Sequence, residues 1–420
     1  MSKQKEKKLV PKLRFPEFQN AGAWDEPTLG KISDRIEEKV GSLKLTTVSI
    51  TAGSGFVSQA EKFSRDISGK QYKNYILLNE GEFAYNKGNS KKFPQGCIYK
   101  LKEFKKVAAP NAFICFRIKN KFVSDFYQGY FDNNYHGIQL QKFITSGARM
   151  DGLLNISPSD FFSIIFPTPK DRKEQQKIAD CLSSLDDLIN AHSQKLDALK
   201  AYKKGLLQQL FPAEGETIPK LRFPEFQNDG EWEEKELWKV GEIVTGKTPS
   251  TSDESLWGGD VQFVTPTDIT EEKYQWKTQR SVVENSRIKV IPKCSTMFTC
   301  IASIGKMSLS VLPCITNQQI NTLIPKSDYE SEFVYYSLLS ITPLIKSTQA
   351  NSTLPIINKT EFSKFAIPVP CNKLEQQKIA DCLSSVDKLV TAQGQKLDSL
   401  KDHKKGLMQQ LFPSVDEEGA

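Results

Sequence analysis

One stretch of this 420-residue sequence fits a catalytic pattern letter for letter: Gly241-Glu-Ile-Val-Thr-Gly246-Lys247-Thr248 reads GxxxxGK[ST], the loop that wraps phosphate in nucleotide hydrolases. Such a loop needs a buried strand before it and a helix after it, so that amide groups and the helix N-terminus cradle the phosphates. The flanks supply neither. Residues 233–240 make a poor buried strand, residues 249–255 a poor helix, and no apolar strand ending in Asp stands out to hold magnesium. The segment reads as a strand and turn at a domain edge, and a nucleotide hydrolase is the outlying reading. Only three histidines exist (His136, His192 and His403), with no Ser/His/Asp set, HExxH or paired carboxylates, and no glycine-rich loop suited to a methyl donor. The eight cysteines show no CxxC or Cys/His metal spacing and read as reduced, structural residues. The expectation is a chain without catalytic or metal-ligating residues.

What remains is the chemistry of amide, hydroxyl and basic side chains on loops, which suits DNA: Arg and Lys for phosphate and guanine edges, Asn and Gln for adenine, Ser and Thr for either. A first region offers Asn86, Lys87, Asn89, Ser90, Lys91 and Lys92 directly after a strand, and Arg149 in a later loop. A second offers Thr265 and Thr267, Ser303 and Lys306, Asn317 and Gln318, then Gln349, Asn351, Ser352 and Thr353 in a matching late loop. Each could also be an ordinary solvated turn, the commoner fate of such residues. The balance of 57 basic against 50 acidic residues permits a nucleic-acid partner without demanding one. No run of 18 apolar residues is present and the N-terminus lacks the apolar core of a signal peptide, so no membrane span is expected and the cytoplasm is favoured.

These loops hang on a repeated scaffold. From Asp171 to Pro212 the apolar residues Ile178, Leu182, Leu185, Ile189, Leu196, Leu199, Leu206 and Leu210 step by four and three, skipping only His192 and Lys203. That is the seam of a coiled coil on one helix about 55 Å long. Asp171 with Glu174 reads as a capping box, and Phe211-Pro212 as the stop. Asn372 to Pro413 repeats everything at a constant displacement of 201 residues, from Ile379 after Ile178 to Leu411 after Leu210, with Gln393 and Lys404 at the skipped positions. A seam constrains only its buried positions. Likeness at Lys203, Lys204, Gln208 and Gln209 and their copies Lys404, Lys405, Gln409 and Gln410 therefore reads as one partner surface used twice.

A second repeat, PKLRFPEFQNAGAW from Pro11 and PKLRFPEFQNDGEW from Pro219, recurs after 208 residues and reads as an arm packed on the helices. The order is box (1–27), globular region (28–170), helix (171–212), then linker and box (213–236), globular region (237–371) and helix (372–413) before a short tail (414–420). Both globular regions read as mixed α/β: β-rich runs, a helical stretch (about Phe122 to Phe143, and Glu332 to Ile345), a loop and a closing strand at 161–167 and 362–368. The scaffold segments are near-copies whereas the regions they carry have diverged, which suits recognition of two dissimilar targets at a fixed separation.

This order of parts, the EQQKIADCLSS blocks (Glu174 to Ser184 and Glu375 to Ser385), the KKGLLQQLFP and KKGLMQQLFP ends, and the TGKTPS and FVTPTDI segments resemble the specificity subunit of a Type I restriction-modification system over nearly the whole chain. The resemblance implies two recognition domains on two helices paired antiparallel, reading a bipartite site in double-stranded DNA. It also implies that the chain is non-catalytic, binds no cofactor itself, and holds two modification subunits that methylate adenine from S-adenosylmethionine, joined by restriction subunits that use ATP with Mg. A stand-alone bivalent DNA-binding regulator is the alternative; a purely structural coiled coil leaves the two diverged regions unexplained.

Overall fold

The computed structural model describes residues 9–51, 53–64, 69–88, 93–144, 153–284, 288–349 and 355–413. The chain forms two compact units, the first made of Met1–Ala191 with Leu397–Ala420 and the second of His192–Lys396. Both long helices are present, at Arg172–Leu210 and Lys373–Leu411, and they pair antiparallel. In the first unit Ile178 and Leu182 are buried with Met408, Leu411 and Phe412; in the second Leu206 and Leu210 are buried with Ile379, Leu383 and Val386. Phe211 and Phe412 do more than end a helix. Phe412 lies 4.3 Å from the ring of Tyr130 and 5.4 Å from that of Phe126, and Phe211 stacks on Phe333 at 5.5 Å, so each fastens a helix end into a globular core. Burying such a ring contributes about 1.5–3 kcal/mol.

The capping-box expectation at the helix starts is corrected. Asp171 caps alone, its carboxylate accepting from the amide of Lys173 at 2.8 Å, and Asn372 does the same for Leu374 at 3.0 Å. Glu174 turns away to the repeated box. Arg14 donates to both its oxygens at 2.7 Å and Trp24 Nε1 donates at 3.2 Å, while Arg222 holds Glu375 by two bonds of 2.8 Å. Each carboxylate side chain is 1% exposed, so only a bidentate partner makes its burial tolerable. The boxes also donate the amides of Leu13 and Leu221 to the carbonyls of Gln410 and Gln209 at 3.0 and 2.9 Å. They are arms packed on the helices, as expected.

Each globular region has its own sheet, and the two sheets follow the same strand order. In the first the order is Ser33–Arg35, Phe113–Ile118, Phe83–Asn86, Cys97–Lys100; in the second it is Gly241–Thr245, Ile320–Pro325, Thr296–Thr299, Met307–Ser310, with Tyr274–Gln275 added at the edge. Every pairing within each set of four is antiparallel. The second unit carries a further sheet of Arg280–Val282, Trp257–Val264 and Cys314–Thr316.

Two sequence expectations shift. The closing strand begins later than 161 or 362, because Pro158–Ser163 and Lys359–Lys364 are short helices with true capping boxes, Ser157 with Asp160 and Asn358 with Glu361. A strand follows only as Ala366–Val369, paired with Glu233–Glu236; the first unit has isolated bridges at Ile165 and Thr168 instead. The aromatic run Phe161-Phe162 masked the start signal. The Phe122 to Phe143 helix is broken into Ser124–Asp132 and Tyr135–Leu140, because Asn134 takes a left-handed conformation with φ of 53°.

Candidate nucleic-acid interface

In the second unit the candidate loops converge. Antiparallel order puts the end of Gly241–Thr245, the start of Ile320–Pro325, the end of Thr296–Thr299 and the start of Met307–Ser310 on one edge of the sheet. Trp257–Val264 and Cys314–Thr316 run parallel and finish there too, with Val264 opposite Thr316. Thr265, Thr267, Ser303, Lys306, Asn317 and Gln318 therefore project from neighbouring strand ends, although the sequence scatters them.

Their local chemistry divides them. Asn317 is 9% exposed and shapes its own turn, its Oδ1 accepting from the amide of Gln319 at 3.1 Å. Thr265 spends its hydroxyl on Asp268 Oδ2 at 2.6 Å and its amide on the same oxygen at 2.8 Å, with the Thr267 hydroxyl 2.8 Å away. Gln318 is exposed and accepts from the Thr248 hydroxyl at 2.7 Å; Ser303 and Lys306 are exposed at a hairpin tip. Gln349 closes the Ser331–Thr348 helix, its amide donating to the Lys346 carbonyl at 3.1 Å. Ile356, past the late loop, bridges to Ile301, so the chain that follows the loop lies beside this edge.

The first unit repeats this plan. Asn86 ends its strand and turns its Oδ1 to the amide of Gly88 at 2.9 Å, while the Lys87 carbonyl accepts from the amide of Leu154 at 2.9 Å and Gly88 bridges to Leu153. Again a strand end and a late-loop exit lie side by side. Asn89, Ser90, Lys91, Lys92, Arg149, Asn351, Ser352 and Thr353 lie outside the described residues.

The phosphate-loop pattern has no phosphate-loop geometry. After Thr245 the chain runs without a helix through Ser250, and a Cβ on Gly246 would stand 2.2 Å from the carbonyl oxygens of Thr316 and Asn317. The glycine is there to let two strand ends touch. Burial pushes the thiols of Cys97 and Cys300 up to about 11 and those of Cys115 and Cys314 up to about 12, which keeps them protonated and inert. Among the described residues no three His, Cys, Asp or Glu are grouped to hold a metal ion, and no helix is long and apolar enough to cross a membrane.

On the helices one expectation is corrected. Lys203 and Lys404 are not on the outer face: Lys404 Nζ lies 2.6 and 2.8 Å from the oxygens of Asp186 and 3.5 Å from Asp132, and Lys203 Nζ lies 2.5 Å from Asp387. They are seam positions filled by ion pairs, as His192 is by Gln393 Nε2 at 2.8 Å. Lys204, Gln208, Gln209, Lys405, Gln409 and Gln410 are exposed.

Two duplicated helices bearing two sheets of the same strand order make an internally repeated architecture that can be compared with known proteins. The family model of the Type I restriction modification DNA specificity domain matches residues 31–201 and 229–402. The chain belongs to that family. Among curated members of the Type I specificity family, it is 32% identical over 168 residues to the Type I restriction enzyme MjaIX specificity subunit of Methanocaldococcus jannaschii, an alignment covering 38% of this chain and 39% of that one. It is 36% identical over 150 residues to the HindI specificity subunit of Haemophilus influenzae, covering 34% and 33%. In these alignments the chain spans 39% and 33% of the length of the two relatives. The S subunit structure of a Type-I restriction-modification system from M. genitalium matches at a TM-score of 0.62 with 15% identity, over 97% of this chain and 100% of that one, which shows a common fold.

Sequence reading passed over Arg280. Its guanidinium lies 3.4 Å from the centre of the Trp257 ring at the same strand edge, and nothing in the order of residues links the two.

Proposed function

We propose that this chain is the DNA-specificity subunit of a Type I restriction-modification complex, with one half of a bipartite site read by each unit. The observation that carries the reading is the contrast between scaffold and load: near-identical helices and boxes support two sheets of the same strand order whose edge loops differ in every candidate residue. A protein that must recognise two unlike sequences with one framework has this form. The chain itself performs no chemistry and binds no cofactor in this reading. It holds two modification subunits, which supply adenine methylation from S-adenosylmethionine, and restriction subunits that use ATP with Mg join the assembly. The exposed and duplicated Lys204, Gln208 and Gln209, with Lys405, Gln409 and Gln410, support docking of one kind of partner twice, and favour this over a stand-alone bivalent regulator.

The test is to co-express the chain with the modification subunit encoded beside it, purify the assembly and map methylated adenines by long-read sequencing. A single bipartite motif is expected. A stable chain that neither binds that subunit nor directs methylation would leave the regulator as the better reading.

A further inference from the structure

We infer that Arg280 reads a guanine edge in the half-site recognised by the second unit. The inference rests on the specificity reading above and assigns one base-reading group within it.

The guanidinium is built into a platform. Its carbon lies 3.4 Å from the centroid of Trp257, close enough for the plane of the fork to lie against the indole face. Trp257 is itself fixed: its Nε1 donates to the Ser250 carbonyl at 3.0 Å and its ring meets Phe263 edge-on at 5.1 Å. A bulge between Trp257 and Val261 in the pairing with Arg280–Val282 brings the indole back over the arginine. That bulge requires Gly259, where a Cβ would stand 2.6 Å from the Val282 carbonyl oxygen and the Val283 Cα.

The backbone of Arg280 is equally determined. It pairs with Phe263, the preceding Gln279 amide donates to Asp268 Oδ1 at 2.9 Å, and the Thr278 hydroxyl donates to the Arg280 carbonyl at 2.6 Å. Asp268 takes Thr265 with its other oxygen, so one carboxylate ties the arginine to the turn beside it at the strand edge. The side chain is exposed, and its N–H groups have no acceptor among the described residues.

An exposed cation without a partner ordinarily keeps its rotamer freedom. Stacking removes that freedom and leaves the outer fork pointing in one plane, which matches two coplanar acceptors such as guanine O6 and N7. A phosphate contact gains little from a fixed plane, since a flexible lysine meets it as well.

The experiment uses the full assembly with modification subunits and compares the wild-type chain with Arg280→Lys and Arg280→Gln by long-read mapping of methylated adenines. The wild-type motif should carry a guanine in the half-site assigned to the second unit. Arg280→Lys keeps the charge and loses the fork; it should drop discrimination at that guanine about 10-fold or more while the other half-site stays fixed. Trp257→Leu should relax the same position, because it removes the platform and leaves the arginine. An unchanged motif with uniformly weaker methylation would make Arg280 a phosphate contact and overturn the inference, as would an unchanged motif at full methylation. A wild-type assembly that methylates no bipartite motif would fail the specificity reading itself, a result seen before any variant is compared, and the inference falls with it.

Discussion

Arg14 grips Glu174 across 160 residues of sequence, donating to both carboxylate oxygens at 2.7 Å in a setting where the carboxylate side chain is 1% exposed. Its counterpart, Arg222 on Glu375, has the same geometry at 2.8 Å. Truncating one member of such a pair strands a buried charge. Arg14→Ala is expected to destabilise the first unit by about 3–5 kcal/mol, and Arg222→Ala the second by a similar amount. Denaturant unfolding followed by tryptophan fluorescence measures this; a loss under about 1 kcal/mol would show that the arms are incidental to stability.

The seam lysines and their neighbours should separate cleanly. Lys203→Ala and Lys404→Ala leave Asp387 and Asp186 half-buried without their cations, and each should cost about 1–3 kcal/mol of stability. Lys204→Glu and Lys405→Glu sit on the exposed face, should leave stability within about 0.5 kcal/mol, and should weaken capture of the modification subunit. Size-exclusion chromatography with that subunit and urea titration of the chain read the two effects; equal capture by the Lys204→Glu variant would remove this face as the docking surface.

His136 predicts a pH dependence. It lies among aromatic rings, 6.1 Å from Tyr85 and from Phe131, and burial pushes its pKa down from 6.5 to about 4. The unfolded chain takes up a proton below about 6.5 while the folded imidazole stays neutral to about 4, so the unfolded state binds more protons through that window. Stability should fall as pH drops from 6.5 to 4, by about 3 kcal/mol from this group. His136→Phe should flatten that part of the pH profile in urea unfolding, and a slope identical to wild type would show that other groups set it.

Adding one heptad to both helices, around Leu196 and Leu397, should lengthen the spacer of the recognised site and leave both half-sites unchanged. Methylated-adenine mapping reads spacer and half-sites together. Altered half-sites at an unchanged spacer would mean that helix length does not set the gap.

The seam was legible because a period of three and four survives any surroundings. Glu174 was not. Its spacing from Asp171 suits a local cap, and nothing near it in sequence announces Arg14 as the stronger partner. Lys203 and Lys404 are hidden for a related reason: the heptad places them on the seam while their charge argues for solvent, and the facing aspartates that settle the matter are far away in sequence. The candidate loops could be named one by one, whereas their convergence follows from strand order, which long-range pairing decides. Arg280 needed both that order and the bulge under Trp257.

The two units differ in how they meet the order of synthesis. The second is one uninterrupted stretch, His192–Lys396, and can complete its core while the chain is still being made. The first emerges earlier yet cannot finish, since Met408, Leu411 and Phe412 belong to its core and are translated only after the whole of the second unit. Its aromatic centre around Phe126 and Tyr130 must wait, open, for a ring supplied by the end of the second long helix. Truncation before Met408 would therefore injure the first unit and spare the second.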